Sequence, residues 1–283
     1  MDSGAIFVGQ DHSSRSIFRP SARGRLFYWL FRNFLAPAIN QSASGVFIPS
    51  PEIRQIVVSE YGIHNDLVHE QPLGVATEIF YPSSESTKRT RTLIRTEYGI
   101  RETDVVYIYT GKMTAQKGPA LLAQAVHNLH QAGHNIQAFF IGNGDPQVIA
   151  QIKSSAGCRH LEAVPAQELG SFYRASDVGV WPREESLSTL DAMACGLPVI
   201  VNNTVFAPER RRFAECIYVL DDIQSLKDKM LDLLDHTLRT RIGTANESLV
   251  RESLSWKAIA GERCRWYATQ IDERLDFGGE SGR

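Results

Sequence analysis

Two lysines stand where a diphosphate could bind. Lys112 and Lys117 lie in the segment Gly111–Gly118, between a run of β-branched and aromatic residues and a helical pattern that starts at Pro119. A helix N-terminus carries partial positive charge, and two ammonium groups beside it would suit the charge of a diphosphate. The alternative interpretation is that both lysines are ordinary exposed residues of a surface loop.

A second segment brings carboxylates and hydroxyls together. Glu184, Glu185 and Asp191 could accept hydrogen bonds from the hydroxyl groups of a sugar or a ribose. Alternatively, Ser186 or Ser188 caps the following helix and Asp191 is solvated. Asp191 argues against that alternative, because its neighbours in the helix are leucine, alanine, methionine and cysteine, among which an unpaired carboxylate would be costly.

A third segment contains two closely spaced glycines, Gly142 and Gly144, followed by Asp145 and Pro146. Two interpretations stay open for it. Asp145 could cap a helix that has Pro146 in its first position, which makes the segment a simple strand-to-helix turn. The glycines could instead allow a ligand to approach the backbone closely. The pattern lacks the third glycine of the dinucleotide-binding fingerprint.

Strands and helices alternate around these three segments. Apolar runs predict buried strands, and a stripe of apolar residues from Pro119 to Gln131 predicts a helix. Strands and helices that alternate with short connections predict the α/β class, with a parallel sheet. Ligands of such sheets bind at the carboxyl ends of the strands, near the point where the strand order reverses. The predicted strands are 105–110, 136–141, 177–181, 198–201 and 217–220.

Composition limits the class of protein. The chain has 283 residues, 43% of them hydrophobic and 22% charged, with a formal net charge of −2. These values argue against a disordered chain, a collagen-like chain and a nucleic-acid binder. The length suits one large or two modest domains. The spacing of the four cysteines fits no zinc pattern, and the N-terminus lacks the features of a signal peptide, so we expect a cytoplasmic protein.

One segment combines arginine with aromatic residues. Ser13–Pro51 contains five arginines and no acidic residue, and it includes the apolar run Leu26–Leu35. This run is too short to span a bilayer, which takes about 20 apolar residues. It is predicted to be either a helix that covers a sheet or a helix that lies on an anionic membrane surface.

Five motifs occur in order along the chain: Pro72–Ala76 with Phe80–Pro82, Gly111–Gly118, Phe140–Pro146, Ala175–Val178 and Asp191–Val199. Together they resemble the glycosyltransferases of family four, also called group 1 glycosyltransferases, over roughly residues 45–260. This resemblance implies the GT-B fold, with two Rossmann-like domains. We expect a partial acceptor-side domain at 1–80 that lacks its first part, a nucleotide-sugar-binding domain at 81–251, and a C-terminal helix and tail at 252–283, with the helix packing back on the N-terminal domain.

The resemblance also implies roles for individual residues. Lys112 and Lys117 would hold the donor diphosphate, and Asp191 would bind the ribose. Glu185 and His12 would be the catalytic residues that face the donor sugar. Two departures from the family are a lysine at 112 where arginine is usual, and a Glu185-to-Asp191 spacing that is two residues short. The full set of donor-binding residues is Gly111, Lys112, Lys117, Gly118, Ser186, Ser188 and Asp191.

The implied reaction is transfer of a sugar, with retention of configuration, from a UDP- or GDP-sugar to a glycan or lipid-linked acceptor. The chain contains no Asp-x-Asp pair, so we expect neither a metal nor another cofactor. The alternatives are an inactive nucleotide-sugar-binding remnant or another GT-B enzyme, such as an epimerase or a phosphorylase. The expected location is the cytoplasm, with the inner face of a membrane as a further option.

Overall fold

The computed structural model describes residues 7–10 and 22–280, and the chain divides into two units. The first unit comprises Met1–Gly74 together with Trp256–Arg283, and the second comprises Val75–Ser255. The ends of the second unit lie side by side, since Val75 N donates to Leu254 O at 2.9 Å and Val75 forms a parallel bridge with Ser255. All three segments with candidate chemistry lie in the second unit.

Six parallel strands form the sheet of the second unit, which confirms the predicted α/β class. They are β4 (Val105–Thr110), β5 (Ile136–Ile141), β6 (Cys158–Leu161), β7 (Val178–Trp181), β8 (Val199–Asn202) and β9 (Ile217–Tyr218). Their spatial order is β6-β5-β4-β7-β8-β9. The chain therefore builds outward from β4 in one direction and then, from β7, in the other. The switch point of the sheet lies between β4 and β7.

Helices connect these strands, and side chains satisfy the backbone groups at several helix ends. Asp145, Asp222 and Asp235 each accept a hydrogen bond from a backbone N–H in the first turn of α6, α9 and α10. Pro119 occupies the first turn of α5, and Gly133 follows its end with a φ of +88°. The helices are α4 (Glu85–Glu97), α5 (Pro119–Gln131), α6 (Pro146–Ser154), α7 (Ala166–Ala175), α8 (Ser188–Ala194), α9 (Ile223–Asp232) and α10 (His236–Leu249).

The two central strands lie inside the core, as their sequences predict. Tyr107 and Ile108 of β4 and Phe139 of β5 are completely buried. Leu122 and Val126 on α5 are buried in the same cluster of apolar side chains. Because both faces of β4 and β5 are covered, the loops that follow them start from a rigid base.

Asp177 anchors the amino ends of β4 and β7 at the switch point. Its Oδ1 lies 2.8 Å from Arg91 Nη2, and its Oδ2 lies 2.6 Å from Arg95 Nη2. Oδ2 also accepts a hydrogen bond from Val106 N at 2.8 Å. Arg95 is only 1% exposed, and burial lowers its pKa although Asp177 opposes that shift. The carboxylate therefore compensates a buried cation and joins α4 to both strands.

A smaller parallel sheet organises the first unit. Its strands β1 (Phe7–Gln10), β2 (Ala43–Ile48) and β3 (Val68–Glu70) lie in the order β1-β2-β3. Its helices are α1 (Ala22–Leu30), continued by a π-helical turn (Phe31–Leu35), α2 (Ala36–Ser42), α3 (Pro51–Ser59) and α11 (Trp256–Glu280). A separate core holds these elements together, and its buried members include Ala36, Ile48, Ile53, Val57 and Val68.

Helix α11 packs on β2 and the end of β3. The ring centroid of Trp266 lies 5.0 Å from that of Phe47 and 5.2 Å from that of His69. The Arg263 guanidinium lies 3.4 Å from the Phe47 ring centroid, and its Nε donates to Gln71 Oε1 at 2.8 Å. These contacts place the helix in the first unit, although it follows the second unit in sequence.

The run Leu26–Leu35 forms a largely exposed apolar surface. We call its six exposed side chains the apolar face. Their exposed fractions range from 43% at Leu30 to 67% at Phe34. Tyr28 and Phe31 turn inward, with ring centroids 5.4 and 4.8 Å from that of Tyr61, so the interpretation as a covering helix holds for these two side chains and not for the apolar face. Among the described helices, none is long and apolar enough to cross a bilayer. The apolar face comprises Leu26, Phe27, Trp29, Leu30, Phe34 and Leu35.

We expect Asp177→Asn to lower the free energy of unfolding by about 3–5 kcal/mol, because removal of one partner leaves a buried cation without compensation. Urea titration followed by circular dichroism measures this loss. Asp228→Asn is the matched control, since Asp228 is exposed on α9. Equal stability of the two variants would show that the Asp177 cluster does not anchor the sheet.

Candidate active site

The loops that follow β4 and β5 touch through their backbones. A Cβ atom added to Gly142 would lie 2.0 Å from Gly111 O, and one added to Gly144 would lie 2.4 Å from Met113 O. Asp145 N donates to Met113 O at 2.8 Å, and Asp145 also caps α6. The glycines are therefore required by contact within the chain, and the strand-to-helix turn predicted for this segment is present.

Both predicted lysines lie on the loop between β4 and α5. Lys112 is exposed, and its carbonyl accepts a hydrogen bond from the Tyr109 hydroxyl at 2.9 Å. Gly118 is the N-cap of α5 and has a φ of +74°, a conformation that favours glycine. The ammonium groups thus belong to a loop that begins at the switch point of the sheet and ends at a helix N-terminus.

Lys117 joins this loop to the one that follows β7. Its Nζ lies 2.8 Å from Glu184 Oε2 and donates to Glu185 O at 3.3 Å. Arg183 adds a second connection, since its Nη1 donates to Ala115 O at 2.7 Å. The loops after β4 and β7, on the two sides of the switch point, are thereby held together.

The Glu185 carboxylate is engaged by the segment 206–210. Oε1 accepts hydrogen bonds from the backbone N–H groups of Phe206 and Ala207, and Oε2 lies 3.0 Å from Arg210 Nη1. Its expected contact with a donor sugar stays a prediction.

The two predicted serines fasten their loop to β4. Ser188 Oγ lies 2.7 Å from Ser186 Oγ and donates to Thr110 O at 3.2 Å. Trp181 Nε1 donates to the same carbonyl at 3.0 Å. The hydroxyl groups of Thr110 and Tyr173 are 2.6 Å apart. These hydrogen bonds fix the position of the loop after β7 relative to the end of β4.

Asp191 differs from every other carboxylate described above. It lies half-buried in the first turn of α8, and none of the described residues donates a hydrogen bond to its carboxylate. Burial raises its pKa to about 7. A ligand that brought hydroxyl donors to this carboxylate would relieve the cost of its desolvation.

Other predicted features are placed as follows. His12 lies outside the described residues. In the part of the chain that the structure describes, no group of three or more histidine, cysteine, aspartate or glutamate side chains could hold a metal ion. Sequence reasoning missed Arg183 and Arg210, which connect the loops. The signal for Arg183 is a charge next to a candidate segment, whereas Arg210 lies outside all three segments.

The sequence of the second unit decides its family. A sequence model of the family described as "Glycosyl transferases group 1" matches residues 104–236, which span the sheet from the start of β4 to the first residue of α10. Residues 104–236 belong to the group 1 glycosyltransferases. The predicted resemblance is confirmed for this glycosyltransferase domain, which contains all three candidate loops.

Relatives and solved structures extend the match. Spore coat protein SA of Bacillus subtilis is 23% identical over 239 residues, covering 77% of this chain and 63% of that protein. A phosphatidylinositol monomannoside mannosyltransferase of Corynebacterium glutamicum is 26% identical over 220 residues, covering 72% and 56%. The Anabaena protein HepE, solved with UDP, superposes with a TM-score of 0.73 at 16% identity, covering 93% and 72%.

These matches confirm the GT-B fold that the motifs imply. The chain spans no more than about two thirds of the length of the two curated relatives. Its similarity therefore concerns a part of each of them.

We expect stability to depend on pH through Asp191. Its folded pKa of about 7 lies above the ordinary aspartate value of 3.8, so the folded state binds the extra proton between these values and stability falls as pH rises through that window. Asp191→Asn removes this dependence. Relative to the wild type, the variant should gain stability at up to about 1.4 kcal/mol per pH unit between about pH 4 and pH 7.

Urea titrations at several pH values measure this gain. Asp228→Asn is the control, and its stability should follow that of the wild type. Parallel pH curves for Asp191→Asn and the wild type would contradict the raised pKa.

Proposed function

We propose that the chain is a retaining glycosyltransferase that moves a sugar from a UDP- or GDP-sugar to an acceptor hydroxyl without a metal ion. The observation that carries this proposal is that two cations and a carboxylate lie on the two sides of the switch point. Two lysines lie on the loop after β4, and on the helix after β7 lies a half-buried carboxylate to which no described residue donates a hydrogen bond. A nucleoside diphosphate has a diphosphate anion that the lysines can bind and ribose hydroxyl groups that can donate hydrogen bonds to the carboxylate.

The diphosphate would bind to the loop Gly111–Gly118. Lys112 and Lys117 supply the positive charge, and the N-terminus of α5 adds a partial charge of the same sign. The close contacts of Gly111 and Met113 with the neighbouring loop hold this backbone in place before the ligand arrives. Such preorganisation lowers the cost of binding.

The nucleoside would bind beside α8. Asp191 would accept hydrogen bonds from the ribose hydroxyls, which relieves the desolvation that raises its pKa. Ser186 and Ser188 would contribute to the donor site from the adjoining turn. The aspartate is one methylene shorter than the glutamate of the family, so the ribose would have to lie correspondingly closer to the helix.

In the reaction, the bond between the anomeric carbon and the diphosphate oxygen breaks, and the acceptor oxygen bonds to that carbon. The proton of the acceptor hydroxyl goes to the departing diphosphate. Lys112 and Lys117 would stabilise the charge that develops on the leaving group. Glu185 and His12 are proposed to face the sugar, and the retained configuration places the acceptor on the face that the diphosphate leaves.

The names of similar proteins support this choice of substrates. The Corynebacterium relative is named as a GDP-mannose-dependent enzyme that acts on a phosphatidylinositol mannoside, and the HepE structure contains UDP. We therefore propose a nucleotide-sugar donor and a lipid-linked acceptor. A lipid-linked acceptor lies in a membrane, so an enzyme that acts on it has to contact that membrane. We propose that the apolar face makes this peripheral contact on the cytoplasmic side.

Lys117→Ala should weaken the binding of UDP or GDP roughly 10- to 100-fold, because a charge-assisted hydrogen bond to the diphosphate is lost. Isothermal calorimetry measures the affinity. Lys153→Ala, which removes an exposed lysine from α6, is the control and should bind like the wild type. Unchanged affinity in Lys117→Ala would refute the proposed diphosphate site.

We expect the double variant Trp29→Ser, Phe34→Ser to lose binding to vesicles that contain anionic lipid, since insertion depends on buried apolar area. Co-sedimentation measures the bound fraction at about 50 and 500 mM salt, because higher salt screens the contribution of the arginines. Leu93→Ser is the control, as Leu93 is 58% exposed on α4 in the other unit. Equal binding by both variants would exclude the apolar face as the membrane contact.

A further inference from the structure

One of the two lysines proposed for the diphosphate already has an ionic partner. Lys117 Nζ lies 2.8 Å from Glu184 Oε2, and the two side chains are 29% and 32% exposed. The Gln116 side-chain amide donates to the other oxygen of Glu184. Lys112, by contrast, makes no ion pair with any described residue. The two cations of the loop are therefore unequal in the ligand-free protein.

The adjacent residues Glu184 and Glu185 bind to different parts of the chain. Two backbone N–H groups and Arg210 engage the Glu185 carboxylate, which ties its loop to the segment 206–210. Among the described residues, the hydrogen bond and ion pair of the Glu184 carboxylate are made with Gln116 and Lys117, two side chains of the loop that would receive the diphosphate. These two contacts join side chains, whereas Arg183 Nη1 holds the backbone of the same loop through Ala115 O.

We propose that Glu184 is an exchangeable counter-ion of Lys117, which a diphosphate displaces on binding and which returns to the lysine as the diphosphate leaves. This inference rests on the proposed function. A diphosphate carries more negative charge than one carboxylate, so it binds Lys117 more strongly than Glu184 does and displaces it. Its repulsion from the nearby Glu184 nevertheless lowers its affinity. Glu184 therefore acts as a positioning residue that accelerates release of the nucleoside diphosphate product.

The ion pair has a consequence that does not depend on any ligand. An ammonium group that is held by a carboxylate and is only 29% exposed is less accessible to an acylating reagent than an exposed, unpaired one. Lys117 should therefore be acetylated more slowly than Lys112 in the wild type. In Glu184→Gln the acetylation of Lys117 should accelerate, while that of Lys112 should not change.

The first experiment measures nucleotide affinity. Glu184→Gln should bind UDP or GDP about three- to tenfold more tightly than the wild type, with slower dissociation, because the ligand no longer displaces a charged partner. Glu184→Asp keeps the charge but shortens the reach, so its affinity should lie between the two. Glu215→Gln is the matched control, since it breaks another partly exposed ion pair, with Arg241 at 2.6 Å, far along the chain from this loop.

The second experiment follows acetylation of Lys117 and Lys112 by mass spectrometry, with and without UDP or GDP. Accelerated acetylation of Lys117 in Glu184→Gln, together with tighter binding, supports the exchange. Unchanged acetylation, or affinity that is unchanged or weaker, overturns it. If the wild type binds nucleotide and only these differences are missing, the inference alone fails. If the wild type binds neither nucleotide, the proposed function fails and the exchange fails with it.

Discussion

Contact between two glycine-containing turns determines where the candidate donor site can lie. Thr110 pairs with Ile141 in the register of β4 and β5, so Gly111 and Gly142 leave the sheet side by side. Because neither residue has a side chain, the carbonyl of the first can approach the second to a distance that no Cβ atom would permit. The backbone that carries Lys112 and Lys117 is thus placed by the sheet itself. The lysine side chains inherit that placement, and the loop after β7 is then attached to it through Lys117 and Arg183.

Asp177 and Asp191, which lie before and after β7, have opposite surroundings. Asp177, at the amino ends of the strands, receives two guanidinium groups and a backbone N–H. Asp191, just beyond the carboxyl end of β7, receives no hydrogen bond from any described residue, and burial raises its pKa. The first arrangement stabilises the fold, and the second destabilises it locally. Proteins keep such local costs chiefly where function requires them, and the contrast therefore separates the structural edge of the sheet from the edge proposed to bind the donor.

Sequence patterns predicted the helices and strands that are determined by their own residues and by the residues at their ends. The helix Pro119–Gln131 has an apolar stripe, a proline at its start and a glycine beyond its end, and its predicted bounds are confirmed. Strand β6 was missed, because Cys158–Leu161 has no β-branched residue to mark it as an edge strand. The separate contacts of Glu184 and Glu185 could not be foreseen, since neighbouring side chains on an irregular loop point wherever the backbone turns them. The exposure of the apolar face likewise depends on how α1 packs, and its composition suits either outcome.

The side-by-side ends of the second unit have a consequence for how this protein can vary. Val75 and Ser255 are bridged, so the chain enters and leaves the second unit at one place, and α11 then rejoins the sheet of the first unit. A block with adjacent ends can be exchanged without stretching the chain that surrounds it. Recombination between genes could therefore replace the whole of Val75–Ser255 and leave the packing of Trp266 and Arg263 on Phe47 intact. The candidate donor site could thus be exchanged as one block, independently of the first unit.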